Sequence, residues 1–263
     1  MDKILLFIPC YNCSNEIVKV LNSLTDYFKY IKEVIVIDNI SSDNTINNAV
    51  NWAKEHSSAP VSILKNKLNY NLGGSHKAAF NYAIDNNFDY VIVLHGDNQG
   101  DISDIKEILE KKTYRNYDCC LGARFMKGSK LINYSFIRTA GNIAFNMLFS
   151  ICLRKKLYDL GGGLNIYSVK MLKNKFWLKF PDALTFNYIM TLALDFYKTK
   201  YMFFPLTWKE DGQASNVKVL SQAFDLLSKL LKYLVNKEKF IKSELRLTPE
   251  YGYFSECVYS NIK

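Results

Sequence analysis

No run in this 263-residue sequence reaches the ~18 to 20 uninterrupted apolar residues that crossing a bilayer requires, so no membrane span is expected. The first apolar stretch, Ile4–Ile8, is too short for a signal peptide and has no cleavage site behind it, which points to the cytoplasm. Of the six cysteines (10, 13, 119, 120, 152 and 257), only Cys10 and Cys13 form a CxxC. No second pair or histidine cluster stands at zinc spacing, and the cysteines read as free thiols in a reducing compartment. Linkers, internal repeats and low-complexity tracts are also missing. Disorder is excluded by composition, with 49% hydrophobic and 22% charged residues.

Acidic residues are in deficit: 25 Asp and Glu against 34 Lys and Arg give a net charge of +9. That excess favours polyanions, whether nucleic acid, anionic lipid or phosphorylated small molecules. The basic residues are scattered apart from groups such as Arg154-Lys155-Lys156, with no basic helix or RNA-binding signature, so nucleic acid is not an expected partner.

What is present is an alternation of short apolar runs and helical patterns. Lys3–Pro9, Val34–Ile37, Val61–Leu64 and Tyr90–Leu94 predict buried strands. Asn15–Tyr30, Thr45–Lys54 and Ser75–Asp85 between them predict helices. Continuous β-branched runs between amphipathic helices imply a mostly parallel α/β sheet covered on both faces. Further strands are expected at Tyr117–Leu121 and Lys200–Leu206, with apolar helices at Tyr134–Leu153 and Val217–Val235. The reading is one domain over 1–216 and a helical extension over 217–263, packed on the core, at a membrane surface or in a homodimer.

Ligands of such sheets bind beyond the carboxyl ends of the strands. Here those ends carry Pro9-Cys10-Tyr11-Asn12, Asp38-Asn39 and His95-Gly96-Asp97-Asn98-Gln99. His95, Asp97 and Gln99 alternate, so on an extended strand end they would point the same way and hold Mg²⁺ or Mn²⁺. Such an ion neutralises a diphosphate leaving group. Asp38 is placed to accept the N–H of a nucleobase, while Asp43 suits a helix N-cap. Gly73 and Gly74 open a helix whose N-terminus, with Lys77, could receive phosphate, although Walker and dinucleotide fingerprints are missing.

Taken together these segments resemble the family 2 glycosyltransferases of GT-A fold, and particularly the dolichyl-phosphate mannose synthase-like branch. The resemblance runs from Lys3 to about Asn216. Ile8-Pro9-Cys10-Tyr11-Asn12 is similar to I-P-x-Y-N, Ile37-Asp38-Asn39-Ile40-Ser41 to V-D-D-x-S, and His95-Gly96-Asp97-Asn98-Gln99 to D-x-D-x-Q. Gly122-Ala123-Arg124-Phe125 is similar to G-S-R-Y/F, and Asp159 to Asn165 stands where the family has D-x-x-S-G-F-R. The sequence departs at His95, at Asn165 in place of Arg, and at Lys209 to Asn216, which only partly matches R-x-x-G-x-S-K. Lost arginines weaken a phosphate clamp, and Arg124, Arg138 and Lys209 are the candidate substitutes.

The resemblance implies an inverting, metal-dependent transfer from a UDP- or GDP-linked sugar in cell-surface polysaccharide synthesis. Pro9, Tyr11, Asn12, Asp38, Gly73, Lys77, Gly96 and Asp97 are the expected nucleotide contacts. Arg124 and Asp159 would lie near the sugar or acceptor. A hydroxyl acceptor needs a base, for which Asp159, Asp182, Glu210 and Asp211 are candidates, whereas a phosphate acceptor needs none. The acceptor is a glycan or a polyprenyl-linked molecule, and the two apolar helices would give peripheral contact with the inner face of the cytoplasmic membrane. The alternatives are a polyprenyl-phosphate glycosyltransferase and, because of His95 and Asn165, a silent sugar-nucleotide-binding scaffold.

Overall fold

The structure is a computed structural model and describes residues 2–210, 219–249 and 251–262. Its strands are β1 (Ile4–Cys10), β2 (Glu33–Asp38), β3 (Val61–Asn66), β4 (Tyr90–Leu94), β5 (Cys119–Ala123), β6 (Lys130–Ile132), β7 (Leu164–Ser168), β8 (Tyr201–Pro205), β9 (Thr207–Lys209) and β10 (Ser255–Ser260). The helices are α1 (Ile17–Ser23), α2 (Thr45–Glu55), α3 (Asn71–Asp85), α4 (Lys106–Glu110), α5 (Phe136–Leu153), α6 (Val169–Leu172), α7 (Phe186–Phe196), α8 (Val219–Val235) and α9 (Lys237–Lys242).

Eight strands form one sheet in the order β10-β3-β2-β1-β4-β7-β5-β8, and β6 pairs with β9 apart from it. Strands β3, β2, β1 and β4 are mutually parallel, β7 lies antiparallel between β4 and β5, and β10 is an antiparallel edge. Side-chain alternation sorts the central strands between two cores. Leu5, Phe7, Ile35, Ile37, Val91 and Val93 face the core shared with α3, α7 and α9. Ile4, Leu6, Ile8, Val34, Val36, Ile92 and Leu94 face the one shared with α1 and α2.

The fold departs from the sequence reading in three places. The helix expected over 15–30 stops at Ser23 and continues as a 3₁₀ turn, Thr25–Tyr27. There the hydroxyls of Ser23 and Thr25 bond the carbonyls of Val20 and Asn22, which competes with the helical ladder. Strand β7 enters the middle of the sheet from a segment with no strong alternation. The extension over 217–263 is not wholly helical: after α8 and α9 the chain returns as β10 and covers the β3 edge, where exposed N–H and C=O groups would otherwise need pairing.

Candidate functional site

The parallel register brings the motif residues to one edge of the sheet. Cys10 lies opposite Asp38 at the tips of β1 and β2, and the Gly96 N–H donates to the Pro9 carbonyl at 3.1 Å, drawing the turn after β4 beside them. A Cβ at Gly96 would come within 2.4 Å of Cys10 Sγ, so this close approach requires glycine. Pro9 is buried within β1, while Tyr11 is half exposed beside it. Asn12 adopts a left-handed φ of 53°. Its N–H donates to Ser41 Oγ and its Oδ1 accepts from the Ser42 N–H, so Asn12 fixes the loop after β2 and does not stand apart as a ligand.

Asp38 is fully buried. Its Oδ2 accepts the Ser41 N–H at 3.0 Å, and its Oδ1 is buried with no hydrogen-bond partner. A buried carboxylate oxygen without a donor is costly unless a ligand supplies one. Asp43 instead accepts from Thr45 and from the Ser14 N–H, one residue outside the N-cap of α2, which is Asn44 and makes no side-chain cap.

The segment after β4 is a turn, not the extended strand end on which same-side pointing of His95, Asp97 and Gln99 was expected. Asn98 has a left-handed φ of 57°, and the Gln99 N–H folds back onto Asp97 Oδ1 at 3.1 Å. Gln99 is also tied by its carbonyl to the Lys209 N–H. Burial pushes the Asp97 carboxyl up to about 6 and the His95 imidazole down to about 4. His95 Nε2 is buried without a hydrogen-bond partner. Among the described residues no three His, Cys, Asp or Glu side chains form a metal cage. An imidazole and a carboxylate nevertheless fit a Mg²⁺- or Mn²⁺-type ion, which takes the rest of its shell from water and donor phosphates.

Sequence reasoning missed Trp208. It is buried on β9 and pairs with Gly100, and its ring lies beside Gly163, where a Cβ would meet Trp208 at 2.8 Å and His95 Nδ1 at 3.1 Å. The Arg124 guanidinium also lies over its ring, 5.2 Å from the centroid. Trp208 thus packs close to both His95 and Arg124, and a lone Trp in a short apolar run gave no sign of this.

Arg124 and Asp159 are bound to each other, so neither is free. Asp159 accepts from Arg124 N, Nε and Nη2 and from the Gly161 N–H. Burial opposes the Arg124 charge, and Asp159 more than offsets it, holding the guanidinium protonated. Next to this pair, Arg138 on α5 is bonded to Glu210 at the end of β9. Asp211 lies outside the described residues.

Three expected site residues, Gly73, Lys77 and Asp182, sit elsewhere. Lys77 is fully buried, and its Nζ donates to Asp182 Oδ1 at 2.6 Å, to Tyr253 Oη at 3.1 Å and to the Phe180 carbonyl. Burial pulls it down to about 8 against the pull of Asp182. The N–H groups of Gly73 and Gly74, expected to meet phosphate, donate to the Asp182 backbone carbonyl. Lys77 therefore cannot reach a phosphate at the helix N-terminus. Asp182, which also accepts from Tyr253 at 2.8 Å, is committed as a structural anion and not available as a base.

Among the described residues one helix, α5, is long and apolar enough to cross a membrane, with a mean hydropathy of 1.3 and 17% of it buried. Arg138 and Asn142 interrupt its apolar run, which is why the uninterrupted-run test passed over it. Phe136 (84%), Ile137 (82%) and Ile151 (67%) are largely exposed.

The sequence and the fold have counterparts among known proteins. The chain is 26% identical over 171 residues to an undecaprenyl-phosphate mannosyltransferase of Micrococcus luteus, covering 65% of this chain and 68% of that one. It is 27% identical over 194 residues to an uncharacterized protein of Methanocaldococcus jannaschii, covering 71% and 80%. Among solved structures, Staphylococcus aureus TarS in complex with UDP-GlcNAc superposes with a TM-score of 0.61 at 17% identity, covering 89% of this chain and 67% of that one. Glucosyl-3-phosphoglycerate synthase of Mycobacterium tuberculosis, in complex with Mn²⁺, UDP and glucosyl-3-phosphoglycerate, gives 0.57 at 12% identity, covering 90% and 80%. The family model described as glycosyl transferase family 2 matches residues 6–176. That span exceeds half of the sequence, and with the GT-A architecture it establishes that the chain belongs to the family 2 glycosyltransferases.

Proposed function

We propose that this glycosyltransferase moves a sugar from a nucleoside diphosphate donor to a lipid phosphate at a membrane surface. The observation that carries the reading is the state of the candidate bases. Asp159 is saturated by Arg124 and Gly161, Asp182 is buried against Lys77 and Tyr253, and Glu210 is paired with Arg138. Among the described candidates an acceptor hydroxyl would find each carboxylate already paired, Asp211 lying outside the described residues, whereas a phosphate attacks as an anion and needs no base. The similarity to an undecaprenyl-phosphate mannosyltransferase supports the same acceptor class.

On the donor side, Asp38 offers one unbonded oxygen. One acceptor matches the single N3–H of uracil, whereas guanine presents two adjacent donors, so UDP is the favoured nucleotide. His95 and Asp97 would hold Mg²⁺ or Mn²⁺, which supplies charge for the leaving diphosphate. The exposed face of α5 begins beside Arg138 at the rim of the site and would lie in the headgroup region of the inner leaflet, with the protein remaining cytoplasmic and peripheral.

The test is incubation with labelled UDP- and GDP-sugars and a polyprenyl phosphate in detergent. Label entering the organic phase as an acid-labile, metal-dependent product supports the reading. Label passing only to a water-soluble or hydroxyl-linked glycan overturns the lipid-phosphate acceptor. Donor binding without transfer to any acceptor favours the silent scaffold.

A further inference from the structure

The matched family segment ends at residue 176, yet two hydrogen-bonded routes run back to the donor edge, one from β10 and one from the residues just before it. In the first, Ser255 Oγ donates to Asn66 Oδ1 at 2.7 Å, and Asn66 Nδ2 donates to Asn39 Oδ1 at 2.9 Å. Asn39 Oδ1 also accepts the Tyr70 N–H, and Asn39 Nδ2 donates to Asn69 Oδ1. Asn39 is thereby held at both its amide oxygen and its amide nitrogen, and it is the chain neighbour of Asp38. In the second, Tyr253 Oη donates to Asp182, whose backbone carbonyl receives the first N–H groups of the α3 glycines. The Tyr253 and Tyr251 rings also pack against Tyr70, and the Lys67 N–H donates to the Phe254 carbonyl. The loop from Asn69 to Gly74 hangs between the two routes.

We infer that β10 is a positioning element of the donor site, with Ser255 acting through Asn66 and Asn39 to set the Asp38 carboxylate against the nucleobase. None of these C-terminal residues touches the donor. Asn66 and Asn39 are buried, so a lost partner cannot be replaced by water without moving the amides. This inference rests on the reading that Asp38 receives the base.

A second serine on the same strand provides the control. Ser260 Oγ bonds Ser62 Oγ, which leads to Glu33 at the opposite end of β2 from Asp38. A merely structural strand would respond alike at both positions. UDP affinity in Mn²⁺ is measured by calorimetry for wild type, Ser255→Ala, Ser255→Thr, Ser260→Ala and Asp38→Asn, with Tm and turnover at saturating donor alongside. For Ser255→Ala the expected result is a three- to ten-fold weaker UDP affinity, the range of one hydrogen bond. Turnover at saturation should be unchanged, Ser255→Thr should recover the affinity, and Ser260→Ala should bind as wild type does. Equal effects at Ser255 and Ser260, or a Ser255→Ala affinity within twofold of wild type, overturn the inference. If that happens while Asp38→Asn loses UDP binding, the base reading survives alone. If Asp38→Asn binds UDP normally, or wild type does not bind UDP, the base reading fails and this inference with it.

Discussion

Arg124 and Asp159 form a closed pair: three nitrogens of one residue meet the two carboxylate oxygens of the other, with the Asp159 side chain almost wholly out of water. Breaking such a pair leaves a buried charge and costs about 3–5 kcal/mol. Asp159→Asn is therefore expected to lower Tm substantially and to depress turnover and donor affinity together. A fall in kcat of a hundredfold or more at unchanged Tm would instead mark Asp159 as the base and return the hydroxyl acceptor to first place.

The acceptor side offers a separate test at Arg138 and Glu210. If an anionic acceptor takes the place of Glu210 on Arg138, Glu210→Gln lowers the KM for polyprenyl phosphate, and Arg138→Ala raises it tenfold or more. The donor KM should stay within twofold in both variants. Steady-state kinetics with each substrate varied in turn reads this directly.

Asp97 sets the pH dependence. Its folded pKa of about 6 lies above the ordinary value of 3.8, because burial disfavours the carboxylate. A ligating carboxylate must be deprotonated, so metal-dependent binding of a UDP-hexose is expected to weaken about tenfold per unit below pH 6 and to be flat above it. His95, brought down to about 4, is neutral across this range and adds no slope. The same shift makes the metal-free protein lose stability as pH rises from about 4 to about 6, since the folded state holds the proton more tightly there. Calorimetry and thermal melts from pH 5 to 8 check both signs, and Asp97→Asn should abolish both dependences.

Gly96 tests the close approach of two strand tips. Gly96→Ala places a methyl 2.4 Å from Cys10 Sγ and 3.0 Å from the Pro9 carbonyl. Overpacking of this kind costs about 1–3 kcal/mol, and here it should also displace Asp97 and weaken UDP binding. Cys10→Ala in the same chain removes the nearer clash and should recover part of both losses.

The α5 face predicts a vesicle effect. Ile137→Glu with Ile151→Glu should abolish co-sedimentation with anionic liposomes and leave UDP binding intact. Retained sedimentation would remove α5 from the membrane contact.

The parallel half of the sheet and its loaded strand ends were legible because buried strands and amphipathic helices leave local periodicities, and because polar residues cluster where strands end. Asp38 and Asp97 stand at those strand ends, whereas Arg124 and Asp159 were singled out by family resemblance and their ion pair was not foreseen. What local pattern could not show was partnership across the chain. Lys77 read as a phosphate ligand because a Gly-containing helix start usually offers free N–H groups, but its partner stands 105 residues later in the sequence. The His95-Asp97-Gln99 alternation assumed continued extension, which the left-handed Asn98 breaks. β10 was hidden because edge strands need less apolar material than central ones.

That last strand also bears on the order in which the protein assembles. Ser255 meets Asn66 across 189 residues of chain, so the pairing closes a very large loop and its contacts form late. As the polypeptide leaves the ribosome, the nucleotide-facing strands can collapse into their sheet early, yet the wall behind Asn39 stays open until β10 has been made. A nascent chain would until then carry a half-built donor pocket, and full affinity for nucleotide would report that β10 has docked.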